Sequence, residues 1–401
     1  MKDTSLIQFR NCRIFIDRKL VNRDLWVKDG KIIDAEKLFF EKNSTAGHFV
    51  DCGGRILAPG FIDLELNGGW GLDFSEEAGD MAEKINQVRR NILKHGVTAF
   101  CPAIISSTPS VYKQILPKVR RIRGGKEGAS VLGVHLEGPF LNKSKKGAHN
   151  LSNLMAPKAK DLTDIYGDIE NVSIVTLAPE LEGAREAITF LRNKNIVVSL
   201  GHSAASLQVA ESGVRAGATL VTHLYNAMPP FLARDPGLVG LIASDLVVKE
   251  EYPLFYSLIS DGHHTSAAAM RIAYRAYPDG AILVTDANAA LGLADGVHSL
   301  GDQKMEVKNG KATVLGTDTL CGSIANLDKC LRIFKDLVDC TIEEALETVT
   351  LHPAQALGIQ DKKGALNFGC DADFVILDDK LNVHATFIGG ECVYKEDNST
   401  M

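Results

Sequence analysis

The chain has 401 residues, of which 45% are hydrophobic, 6% aromatic and 23% charged, with a formal net charge of −6 at pH 7. This length suits one α/β barrel of ~250 residues plus a smaller appended module. The acidic balance argues against a nucleic-acid partner, which needs a clustered positive surface, and no apolar run reaches membrane-spanning length.

Taken in chain order, residues 6–57 alternate short β-like runs (13–16, 24–27, 32–33) with turn signals such as Lys28-Asp29-Gly30-Lys31. Eight continuous apolar runs then follow, at 60–64, 98–101, 131–135, 172–176, 196–200, 219–222, 255–259 and 281–285. Unbroken apolar runs are what parallel strands need, because helices cover their outer face and packed side chains fill the inside. Helical spacing occupies intervening segments such as 80–95, 182–193 and 204–215. The meander texture returns at 373–377, 383–388 and 391–394. Neither end alone buries much core, so residues 1–57 and 359–401 are expected to pair into one β-sandwich beside a (β/α)₈ TIM-type barrel spanning 58–358. The eight cysteines are scattered with no CxxC pair, and no apolar leader opens the chain, which reads as a reduced, cytoplasmic protein.

In such a barrel catalytic groups project from the carboxyl ends of the strands. Those ends carry His135-Leu136-Glu137-Gly138-Pro139, Gly201-His202-Ser203, Thr222-His223-Leu224-Tyr225-Asn226-Ala227-Met228, Asp261-Gly262-His263-His264 and Thr285-Asp286-Ala287. Glu137, His202 and His223 form a candidate three-ligand set with a position left for water, as a catalytic Zn²⁺ requires. The ion would lower the pKa of that water toward ~7. Asp286 could accept the water's proton and pass it to a leaving amine. A lone histidine at a strand end is ordinarily a hydrogen-bonded structural residue. The joint occurrence on four strands favours a metal, because unpaired polar groups near a barrel core are destabilising.

These motifs, with Pro59-Gly60-Phe61-Ile62-Asp63, His135-Leu136-Glu137-Gly138-Pro139-Phe140 and Lys146-Gly147-Ala148-His149-Asn150, carry a resemblance over nearly the whole chain. The chain resembles the N-acetylglucosamine-6-phosphate deacetylase family of the amidohydrolase superfamily; the first motif alone would indicate only the superfamily. The resemblance implies a phosphorylated N-acetyl amino sugar as substrate, hydrolysed to the free amine and acetate in amino-sugar catabolism or salvage. It makes Glu137, His202 and His223 the metal ligands and Asp286 the general base, then acid. His149 would polarise the acetyl carbonyl, the alternative being a loop histidine without a role. His264 would hydrogen-bond the sugar, with His263 structural. Ala148, Asn226 and Ala227 would meet the substrate, and Leu320, Cys321 and Gly322 would line the acyl pocket.

Arg234 corresponds to a phosphate-binding arginine supplied by the neighbouring subunit, which implies a homodimer. A guanidinium fork suits phosphate, and the alternative is a surface arginine paired with Asp235. Where many amidohydrolases carry His-x-His, this chain has Glu65-Leu66-Asn67. Asparagine is a poor ligand, so one tightly held divalent metal is expected, zinc ahead of iron, cobalt or nickel, with Glu65 able to support a weak second ion. The competing readings are another amidohydrolase, such as a cyclic-amide hydrolase, and a non-catalytic scaffold of the same fold.

Overall fold

Eight short apolar strands run through the middle of the chain: β1 (Phe61–Leu66), β2 (Val97–Ile105), β3 (Val134–Glu137), β4 (Val172–Leu177), β5 (Val197–Leu200), β6 (Leu220–Val221), β7 (Phe255–Ile259) and β8 (Ala281–Val284). The structure is a computed structural model and describes residues 2–36, 45–76, 79–158, 162–249, 251–300 and 303–397. Each strand pairs in parallel with the next. The ring closes just beyond β8, where Ala287 bridges Leu66 in parallel and Asp286 N donates to Glu65 O at 2.8 Å.

Ile62, Leu64, Ala99, Cys101, Ile174, Leu220, Ile282 and Val284 pack together as one core cluster. The opposite faces, with Phe100, Leu136, Val175, Val198 and Tyr256, belong to a larger cluster shared with residues of the surrounding helices. Those helices include Met81–Asn91, Ala184–Asn193, Leu207–Ala216, Ala267–Ala276 and Leu327–Val338. Side-chain oxygens of Asp80, Ser206 and Ser266 accept first-turn amides and set where three of them start.

All eight expected runs contain a strand. Six agree with the observed strand to within two residues at each end, and two differ more. The run expected at 98–101 continues to Ile105, because Pro102 does not end the strand: it sits opposite Leu66 at a register shift in the β1–β2 pairing. The run at 131–135 is split at Gly133, whose φ of 117° turns the chain between Ser130–Val131 and β3.

The chain ends meet in a six-stranded sheet ordered Glu391–Lys395, Val383–Ile388, Phe374–Leu377, Ile56–Pro59, Arg13–Ile16, Lys19–Asn22. The joint is the antiparallel pairing of Phe374 with Pro59 through Leu377 with Ile56. A four-stranded sheet, Lys31–Ile32, Leu25–Lys28, Lys2–Arg10 and Thr45–Asp51, completes the sandwich. Phe9 from this second sheet stands edge-on to Phe374 and Phe387 at 4.9 and 5.1 Å between ring centroids.

An antiparallel insertion after β8, made of Gly296–Leu300, Gln303–Lys308 and Lys311–Val314, was not expected from the sequence. It returns the chain to the barrel mouth, where Cys321 N donates to Ala312 O at 3.1 Å. All eight cysteines are free. Among the described residues no helix is long and apolar enough to cross a membrane.

Candidate active site

Glu137 is the last residue of β3, while His202, His223 and Asp286 each stand two residues beyond the end of β5, β6 and β8. All three adopt left-handed backbone, with φ of 47°, 32° and 45°. Non-glycine residues rarely adopt this conformation, and it clusters at functional sites. The chain turns sharply as each strand ends, and the side chains gather over the barrel mouth. Gly201 permits one of these turns: a Cβ there would lie 2.9 Å from Thr222 Cβ and 3.0 Å from Thr176 Cγ2. Hydroxyls connect neighbouring strands nearby, with Thr222 Oγ1 2.7 Å from Thr176 Oγ1 and 2.5 Å from Ser199 Oγ. His135 joins this network through Thr176 Oγ1 at 2.7 Å, and burial lowers its pKa to about 4, so it is a neutral structural imidazole.

Three donor atoms converge above. Glu137 Oε1 lies 2.9 Å from His202 Nε2 and 3.1 Å from His223 Nε2, and the two nitrogens are 3.0 Å apart. His202 Nδ1 faces the Lys145 carbonyl at 2.8 Å. A carbonyl only accepts, so Nδ1 carries the hydrogen and a neutral His202 points the Nε2 lone pair at Glu137. Burial disfavours the charged Glu137, yet His149, His202 and His223 outweigh it and hold the carboxyl well below the usual carboxylate range. A lone pair facing an ionised oxygen at this distance needs a positive charge between them. Ligand bonds of ~2.0–2.2 Å fit such spacing, so the three residues suit a divalent cation.

A second acidic group overlaps the first. Carboxylate oxygens of Glu65, Glu137 and Asp286 lie within 4.8 Å of one another. Burial, then the charges of Glu137, Asp286 and Asp63, drive Glu65 well above the ordinary range, and its Oε1 has no hydrogen-bond partner. Burial, then Glu137, pushes Asp286 up to about 8, while His223 and a hydrogen bond from Asn67 pull the other way. That bond runs from Asn67 Nδ2 to Asp286 Oδ1 at 2.7 Å.

His149 is placed by Ser106, a residue the sequence reading missed. Ser106 N donates to His149 Nδ1 at 3.2 Å, and Ser106 Oγ lies 2.9 Å from the same nitrogen. An amide only donates, so Nδ1 accepts and the hydrogen sits on Nε2, which lies 3.6 Å from Glu137 Oε1. His264 gives its Nδ1 hydrogen to Asp261 Oδ2 at 2.7 Å, leaving Nε2 for a ligand. A cavity of about 250 Å³ is lined by the three candidate ligands, Asp286, His149, Ala148, Asn226, Ala227, His264, Leu320, Cys321 and Gly322. Arg234 is exposed and does not line it. Asp235, offered from sequence as a partner for Arg234, instead accepts the amides of Leu207 and Gly237 at 2.8 and 3.2 Å. Asn67, read from sequence only as a poor ligand, lines the cavity together with Asp73, Asn288 and Thr319.

A parallel barrel whose carboxyl-end mouth gathers one carboxylate and two imidazoles beside a further buried carboxylate defines a metal-dependent hydrolase. Comparison with known proteins agrees: the model of the amidohydrolase family matches residues 56–393. The chain is 52% identical over 395 residues to human N-acetylglucosamine-6-phosphate deacetylase, covering 98% of this chain and 96% of that one. It is similar to the crystal structure of the Thermotoga maritima N-acetylglucosamine-6-phosphate deacetylase, with a TM-score of 0.82, 28% identity, and coverage of 97% and 100% of the two chains. A Mycobacterium smegmatis N-acetyl-D-glucosamine-6-phosphate deacetylase variant in complex with N-acetyl-D-glucosamine-6-phosphate matches with a TM-score of 0.78 at 28% identity, covering 97% of this chain and 98% of that one. The chain belongs to the N-acetylglucosamine-6-phosphate deacetylase family of amidohydrolases.

Proposed function

We propose that this chain hydrolyses N-acetyl-D-glucosamine 6-phosphate to D-glucosamine 6-phosphate and acetate, in amino-sugar catabolism or salvage. The observation that carries this reading is the meeting of Glu137 Oε1, His202 Nε2 and His223 Nε2 within 3.1 Å, in one cavity with Asp286. Glu137, His202 and His223 would hold one divalent ion, with zinc favoured by a carboxylate–imidazole set and iron, cobalt or nickel compatible with it. When bound, the ion supplies Lewis acidity that makes a water nucleophilic near neutral pH.

The other roles follow from the chain's own groups. His149 Nε2–H is a preorganised donor for the acetyl oxygen, where negative charge develops as the carbonyl is attacked. Asp286 takes the proton of the attacking water and delivers it to the departing amine nitrogen, so one carboxylate serves as base and then acid. Its raised affinity for protons, near pH 8 without an ion nearby, suits a group that must hold a proton between the two steps. His264, turned by Asp261, is a donor or acceptor for sugar hydroxyls. Ala148, Asn226 and Ala227 meet the sugar, and Leu320, Cys321 and Gly322 enclose the acetyl group.

Arg234 stands outside the cavity of its own chain, which supports a homodimer in which it reaches the phosphate bound by a neighbouring copy. The free cysteines support a reducing, cytoplasmic setting. The test is acetate release from N-acetyl-D-glucosamine 6-phosphate by the purified protein and its Asp286→Asn variant. The expected outcome is turnover by the wild type and a loss of ~10²–10⁴ in the variant with metal content kept. No acetate from the wild type would sink the substrate, and near-normal turnover of the variant would remove Asp286 from the mechanism.

A further inference from the structure

Asn67 follows β1 at the seam that closes the barrel. Its backbone N donates to Ala287 O at 2.8 Å, and Asp286 N donates to Glu65 O at 2.8 Å, so main-chain bonds hold the two residues face to face. Nδ2 of Asn67 donates to Asp286 Oδ1 at 2.7 Å within the buried interior. With Asp286 ionised, as its role as the base requires, the reverse amide orientation would set two acceptor oxygens against each other, so Nδ2 is the end that faces it. The other end, Oδ1, is buried with no hydrogen-bond partner. Among the described residues, Asp286 is therefore the one group the Asn67 side chain bonds, and both line the cavity. An amide placed in a core for stability would have both ends satisfied.

We infer that Asn67 is a positioning residue for hydrolysis: it anchors one oxygen of Asp286 so that the other faces the attacking water and the amide nitrogen. A carboxylate free to rotate about its last bond would spend much of its time with neither oxygen aligned, and proton transfer depends on that alignment. Asn67 is not among the residues proposed above to meet the substrate, so the change is expected to fall on turnover and not on binding.

The inference rests on the role given to Asp286 above, so the experiment includes both. Metal-loaded wild type, Asp286→Asn, Asn67→Ala and Asn67→Asp are compared in the acetate-release assay. Loss of one hydrogen bond to a charged group is expected to lower kcat of Asn67→Ala by about 10-fold or more, with KM within about twofold of wild type. Asn67→Asp keeps the shape but replaces the donor with an acceptor, and is expected to be the slower of the two. A packing role would give the opposite order, because aspartate fills the space and alanine does not. An unchanged kcat in Asn67→Ala, a loss confined to KM, or an Asn67→Asp variant faster than Asn67→Ala would overturn the inference. With Asp286→Asn inactive, those results refute the positioning role alone; near-normal turnover by Asp286→Asn refutes the mechanism on which it rests.

Discussion

Replacing Glu137 with glutamine removes the charge on which the candidate ligand set converges. Its Oε1 is the atom nearest both imidazole nitrogens, at 2.9 and 3.1 Å, and the replacement keeps the shape while discarding the anion. Four-ligand structural zinc sites bind with roughly 10–16 kcal/mol, or about 2.5–4 kcal/mol per ligand, so loss of this one is expected to weaken metal binding by ~10²–10³-fold. At a free metal concentration 100 times the wild-type Kd, binding stabilises the wild type by about 2.7 kcal/mol; a 10²-fold weaker site gains about 0.4 kcal/mol under the same conditions. Over 401 residues the unfolding entropy is roughly 0.84 kcal/mol/K at about 2.1 cal/mol/K per residue. The melting temperature should therefore rise by about 3 °C on metal addition in the wild type and by less than about 1 °C in the variant. Thermal melts of chelator-stripped protein titrated with Zn²⁺, with metal content measured in parallel, supply the check. A variant that matches the wild-type shift and retains metal through chelation would show that Glu137 is not a ligand.

Three other perturbations separate fold from chemistry. His149→Ala should lower kcat by ~10²–10³-fold through loss of an oxyanion donor, while its metal content stays at the wild-type level; a variant depleted of metal would place His149 among the ligands instead. Gly201→Ala drives a methyl group against Thr222 and Thr176 beside His202, and overpacking should cost about 1–3 kcal/mol in denaturant melts along with faster loss of metal to a chelator; wild-type behaviour in both would show that the turn tolerates a side chain. Lys363→Met leaves Asp373 without its cation and Asp371 with Lys31 alone, since Lys363 Nζ lies 3.1 Å from Asp371 and 2.5 Å from Asp373 with all three side chains less than 20% exposed. Removing one partner of such a group should cost ~3–5 kcal/mol, about 4–6 °C in melting temperature. Burial opposes the charge on Lys363, but Asp373 and Asp371 outweigh it and raise its pKa; burial likewise opposes ionised Asp371, but Lys31 and Lys363 lower its pKa. The lysine's contribution is therefore full below about pH 10.4 and lost above its higher folded value, and that of Asp371 is full above about pH 3.9 and lost as pH falls. The gap between variant and wild type should be widest from about pH 4 to 10 and narrow in acid, and a gap that widened in acid would contradict the assignment.

The barrel was legible because parallel strands covered on both faces must be apolar throughout, and β7 could be read to the residue as Phe255–Ile259. The insertion at 296–314 was not, since Gly296–Leu300 follows neither period, the alternation of Lys311–Val314 spans only four residues, and both gain their structure by pairing with Gln303–Lys308. At the mouth, Glu137, His202, His223 and Asp286 were readable because a strand end fixes where such a residue must be. Their supports were not. Asn67 meets Asp286 across 219 positions of chain where the ring closes, and Ser106 meets His149 across 43 where the loops after β2 and β3 come together. Ser106 was further hidden by a strand expected to stop before Pro102, which left the end of β2 unrecognised. Arg234 is exposed and outside the cavity of a single chain, so its proposed part in the site has no support from the contacts within that chain.

The left-handed backbone at His202, His223 and Asp286 bears on how the site takes its shape. Strain of ~1–3 kcal/mol at each position sums to roughly 3–9 kcal/mol, a large part of the 5–15 kcal/mol by which ordinary domains are stable. Such turns persist only where neighbours leave no alternative, and each of these is pinned from another strand or loop. The His202 carbonyl accepts Asn142 N at 2.9 Å. His223 N donates to Ser257 Oγ at 2.7 Å. Asp286 donates its N to Glu65 and accepts Ser323 N, both at 2.8 Å. Glycine would relieve the strain at any of the three, so a scaffold selected for stability alone has no reason to keep histidine, histidine and aspartate there. The strain makes sense as the cost of aiming two imidazoles and a carboxylate into one cavity, and a cation held by His202 and His223 would return the part stored at those two residues by binding only the chain already turned that way.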